Sequence, residues 1–90
     1  MSYSSGLQTV AASSVYGPPV VCPGAAAVIL TIANAACVIQ QGRGVGAPMW
    51  GEDSYRLPGV WVLPGPIDAL RVRAAATVNP ANPPRWSADA

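Results

Sequence analysis

Apolar residues in this chain come in short runs cut by Pro and Gly. The longest run, "AAAVILTIA" (25–33), carries two competing signals. Its alanines favour helix. Val28, Ile29, Thr31 and Ile32 are β-branched and favour strand. The run divides at "ANA" (33–35), and "CVIQQ" (37–41) is again β-branched before it turns polar. The pattern predicts a hairpin: a strand over 25–33, a turn at Asn34 and a strand over 36–41. A helix is the competing reading.

Further on, "GRGVGAP" (42–48) reads as a flexible connection, and "MWGEDSYRL" (49–57) as a strand or two short pieces around Gly51. "LPG" occurs at 57–59 and again at 63–65, with only "VWV" between. Pro then Gly suits the two central positions of a type II turn, which predicts two turns flanking one short strand. The next strand is predicted over Ala69 to Ala76. Side chains alternate along a strand, so Leu70, Val72 and Ala74 share a core face. Ala69, Arg71, Arg73 and Ala75 share the other, with the two guanidinium groups about 7 Å apart along it.

The ends read differently. Residues 1–18 are mostly Ser, Gly and other small residues and are expected to form an N-terminal arm. The tail 77–90 has three prolines within five positions, Pro80, Pro83 and Pro84. These oppose regular ladder pairing and predict a C-terminal arm. Trp86 near its end is the expected anchor for a pocket on a neighbour. The resulting organisation is an arm (1–18), a β domain (19–76) and a Pro-rich arm (77–90). The expected fold is all-β: a small β-sandwich or barrel with extended N- and C-terminal arms.

Composition sharpens this. At 90 residues the chain has room for one domain. It is 51% hydrophobic and 10% charged, against about 25% charged in ordinary soluble domains. Such a surface suits coverage by a partner. The net charge of +1 gives no bulk attraction to a polyanion, so nucleic acid is not an expected partner. There is no Lys and no His, and all five basic residues are Arg. That removes Schiff-base and imidazole chemistry and leaves planar forks suited to carboxylates. Cys22 and Cys37 read as small buried apolar residues, with a single bridge as the alternative. No basic, then apolar leader pattern is visible at the start. The apolar stretch 25–39 falls short of the ~20 residues of a membrane helix, so no membrane partner is expected.

Chemical motifs are weak. "GRGVGA" (42–47) matches G-x-G-x-x-A, but Pro48 and Gly51 follow where a helix would have to open, so it reads as a loop and no cofactor is expected. Glu52 and Asp53 are adjacent and would point to opposite faces of a strand. They read as solvated acids rather than a glycosidase pair. No nucleophile elbow or metal-ligand spacing occurs, so no catalytic or metal residue is assigned and an enzyme is not expected. Trp50, Trp61 and Trp86 could form a stacking platform but suit core or interface anchors better. The residues assigned to a protein interface are Arg71, Arg73 and Trp86, with a partner's carboxylates as the match for the arginines. Asp68, within the chain, is the alternative partner.

The run "WGEDSYRLPGVWVLPGPIDALRVRAAA" (50–76), with the apolar strand pair before it, resembles small virion proteins of tailed bacteriophages, particularly those infecting actinobacteria. The likeness lies in the Trp-to-Glu segment, the "LPG" turn and the closing "IDALRVR" strand. Such chains often continue with a further strand, where this one has its Pro-rich tail. The resemblance implies a minor capsid or head-decoration protein that binds and stabilises the assembled head. The alternative is a minor tail or tail-fibre module that contacts the host envelope. It further implies the major capsid protein as partner, a homo-oligomeric or lattice-bound state, and assembly in the host cytoplasm into the virion.

Overall fold

The computed structural model describes residues 3–90. Its seven strands are β1 (Gln8–Thr9), β2 (Val20–Ala33), β3 (Cys37–Arg43), β4 (Met49–Trp50), β5 (Ser54–Arg56), β6 (Gly59–Ala74) and β7 (Arg85–Asp89). All pair antiparallel in one sheet, ordered β1-β7-β2-β6-β3-β4, with β5 also on β3. No helix occurs among the described residues, so the β-branched residues of 25–33 override the alanines.

The expected hairpin is corrected. Asn34 does turn the chain, with a φ of 77°, but β2 and β3 are not partners. β6 lies between them. Ile32 sits opposite Gly59, and Cys37 sits opposite Ala74. The two ends of β6 are therefore joined by a very short link on the neighbouring strands. A straight strand of that length would span about 50 Å, whereas the longest dimension of the molecule is 35 Å. β6 must curl, and the sheet curls with it. Register shifts between Val21 and Ala25 and between Ala25 and Ala27 on β2 supply the bend.

The curl explains how one sheet makes a core without a covering helix. Val28, Leu30, Ile39, Leu63, Ile67 and Leu70 are fully buried and face one another across the concave side. Leu70, Val72 and Ala74 are buried, as their alternation predicts. Arg71 and Arg73 lie on the opposite face and are half-buried.

A further expectation changes. The second "LPG" is not a chain-reversing turn, because β6 continues through it. Gly65 instead lets the strands approach at the bulge, where a Cβ would lie 2.1 Å from the carbonyl oxygen of Ala25. Gly59 of the first "LPG" does take a positive φ, 146°.

The terminal segments are not free arms. Tyr3 and Ala90 exchange backbone hydrogen bonds, and the N–H groups of Ser5 and Val10 donate to Ala88 and Pro84. Gly17 donates to Val72, and Ala74 donates to Ala12. The N-terminal segment thus spans from β7 to the second half of β6. The tail's prolines do keep 77–84 out of the ladder, but pairing resumes at Arg85 once they are passed. β7 then fills the space between β1 and β2.

Candidate functional site

On the convex face, β6 presents Arg71 and Arg73, and β3 places Gln40 directly opposite Arg71. The N-terminal segment carries Tyr16 over this face, β4 brings Trp50, and the loop after it brings Asp53. The Arg71 guanidinium lies close to two rings, 4.2 Å from the centroid of Trp50 and 4.6 Å from that of Tyr16. Its Nε donates to Gln40 Oε1 at 2.7 Å, and Gln40 Nε2 donates to Asp53 Oδ1 at 2.8 Å. The Tyr16 hydroxyl donates to the same carboxylate oxygen. Arg73 Nη2 pairs with Asp53 Oδ2 at 3.3 Å, and its Nη1 donates to the Ser13 carbonyl at 3.1 Å.

Asp53 is the hub of this cluster. The Tyr16 hydroxyl, then the Arg73 guanidinium and the Gln40 amide, hold its carboxyl below the usual carboxylate range. Burial, together with the hydrogen bond to Asp53, pushes the Tyr16 phenol up. The arrangement ties three separate stretches, 13–16, 50–53 and 71–73, onto one sheet face.

Arg71 and Arg73 thus stand together as their spacing predicts, and the carboxylate beside Arg73 comes from this chain. It is Asp53, not Asp68. Asp68 Oδ1 accepts from the Gly24 N–H and Oδ2 from the Gly44 N–H, each at 2.7 Å. Those two bonds, Gly44 first, lower its pKa. Asp68 therefore pins the bend of β2 to the turn after β3.

Trp86 is placed differently from its expectation. It is only 4% exposed, and it sits opposite Ile32 on one side and Gln8 on the other. It anchors its own core rather than reaching for a neighbour. The three tryptophans form no common platform. Trp61 donates Nε1–H to the Leu57 carbonyl at 2.8 Å and lies under Arg56, 5.0 Å from the ring centroid. Cys22 and Cys37 are free and buried. Burial pushes the Cys37 thiol up to about 11, which makes it a poor nucleophile.

Tyr16, Gln40, Trp50 and Asp53 escaped the sequence reading as partners of the arginines. The one available signal was that aromatic residues, Trp50 and Tyr55, flank the Glu52-Asp53 pair. It becomes informative only once β3 is known to lie beside β6.

A second surface is apolar. Ile29 lies opposite Val62 and Thr31 opposite Val60 on neighbouring strands. Val60 and Val62 are each 67% exposed, and Ile29 is 46% exposed. No protein-family model, no curated protein and no solved structure matches this chain.

Proposed function

We propose that this chain is a structural protein of a phage virion, a minor capsid or decoration protein that binds the major capsid protein and stabilises the head. The observation that carries the reading is the exposed apolar strip of Ile29, Val60 and Val62 on a domain with very few charges. A free monomer gains nothing from such a strip, whereas a protein seated on a shell would cover it. The curled sheet is read further as a small barrel-like sandwich, closed where the segment 12–17 meets β6. With both terminal segments docked on their own sheet, attachment falls to the strip rather than to arms. The Arg71–Asp53 cluster then serves to keep the sheet rigid.

Imaging of intact particles with the chain labelled tests this reading. Density on the head in tens to hundreds of copies is expected. A few copies at the tail tip would replace the reading with the tail-module alternative, and absence from the particle would overturn both.

A further inference from the structure

β6 has an edge to which, among the described residues, no other strand is bonded. Its residues 59–70 pair with β2 along one edge, and the other edge meets β3 only at 69–74. Among the described residues no backbone group bonds to the second edge of 59–66. In a strand, alternate residues direct their N–H and C=O groups to each edge, so this stretch presents an unsatisfied row. Proteins commonly protect such an edge with Lys, and here no charge occurs from Leu57 to Ile67.

The occupant of a free strand edge is another extended backbone, because only a strand satisfies alternating donors and acceptors. The sequence of the edge says which strand. Pro58 and Pro64 lack N–H groups and bound the pairing window at Gly59 to Leu63. Trp61 is the midpoint of that window. Set antiparallel on itself about Trp61, the strand brings Val60 opposite Val62 of the second copy and Gly59 opposite Leu63. Pro58 falls opposite Pro64 at each end, where the ladder stops without a wasted donor. The window is thus self-complementary about a two-fold axis, as an isologous dimer requires. Val60 and Val62 lie on one face, so both cross-strand contacts are Val against Val, with Ile29 of each copy beside them. No like charges face each other within the window itself, and the Arg56 guanidinium of each copy stays over its own Trp61 ring, 5.0 Å from the centroid.

We infer that two copies of this chain join through the free edge of β6, in antiparallel register with Trp61 opposite Trp61. The two sheets then form one continuous sheet across the axis. This inference does not depend on the virion reading and stands or falls on the isolated protein.

Sedimentation over a concentration series up to the millimolar range tests it, together with amide exchange. The wild-type chain is expected to dimerise, with the amides of 59–63 slowing as the dimer forms. The double change Val60→Lys with Val62→Lys puts like charges opposite each other at both contacts and is expected to abolish the dimer. Val60→Glu with Val62→Lys puts opposite charges there and is expected to restore it. Both positions are exposed, and circular dichroism confirms that each variant keeps its sheet. A wild-type chain that stays monomeric throughout overturns the inference, and so does a dimer that survives the Lys pair. A dimer without slowed exchange at 59–63 also overturns it, and that readout needs no variant.

Discussion

The Arg71 guanidinium lies 4.2 Å from the centre of the Trp50 ring and 4.6 Å from that of the Tyr16 ring. A cation close to two aromatic rings gains from both, and Arg suits the site because its planar group can stack while its Nε still donates to Gln40. Arg71→Ala is expected to cost about 1–2 kcal/mol of stability, read as a lower urea midpoint. Arg71→Lys should recover only part, since an ammonium keeps the charge but neither the stack nor the Nε donor. Equal stability of all three proteins would show that the stack is idle.

Acid should loosen the molecule through two carboxylates. Asp53 is held below its ordinary range by Tyr16, Arg73 and Gln40, and Asp68 by the N–H groups of Gly44 and Gly24. A carboxyl with a depressed folded pKa stabilises above its unfolded pKa, and that contribution is lost as pH falls through the folded value. Stability should therefore be level above about pH 4 and decline below it. Asp53→Asn with Asp68→Asn should flatten that decline and lower the melting temperature at neutral pH. The measurement is a series of thermal melts from neutral to strongly acidic buffer. An unchanged acid slope in the double variant would assign the effect elsewhere.

The parts of this fold that follow from local pattern were legible, and the parts that follow from curvature were not. Alternation placed Leu70, Val72 and Ala74 inside and Arg71 and Arg73 outside, because period two is a property of any strand. The turn at Asn34 was legible too. The insertion of β6 between β2 and β3 was hidden, since no local signal says that a strand of this length will bend back. That one fact also hid the site. Gln40 meets Arg71 only through the β3–β6 register, and Tyr16 reaches it only because the N-terminal segment crosses β6. The tail misled for a related reason. Its prolines end at Pro84, and the five residues beyond them suffice for a strand.

Gly65 should be among the least replaceable positions. An added Cβ would lie 2.1 Å from the Ala25 oxygen and 2.7 Å from that of Ala26. Both neighbours are backbone atoms of the β2 bend, which cannot swing aside as a side chain would. Gly65→Ala is expected to destabilise by about 3 kcal/mol or more, the upper end for overpacking. Gly17→Ala is the control, because its nearest neighbour would be the Val72 oxygen at an ordinary 3.5 Å. That change should stay within about 1 kcal/mol of wild type, in either direction. Denaturant curves of the two variants side by side decide the matter, and similar midpoints would show that the bend adapts.

The C-terminal strand should be essential to the domain. β7 pairs with β2 along Ile29 to Ala33 and with the N-terminal segment on its other edge. Removing residues 77–90 strips both ladders at once. The outer edge of β2 would be left open, and residues 3–10 would have nothing to pair with. Trp86 would leave the core, which holds it at 4% exposure. Replacing such a side chain with Ala typically costs about 3–5 kcal/mol, and a domain of this size has total stability near the lower end of about 5–15 kcal/mol. Trp86→Ala should therefore lower the unfolding midpoint sharply, and deletion of 77–90 should abolish cooperative unfolding. If the truncated chain still melts in one sharp transition with a β-type circular dichroism spectrum, residues 3–76 hold the core by themselves and β7 is an accessory.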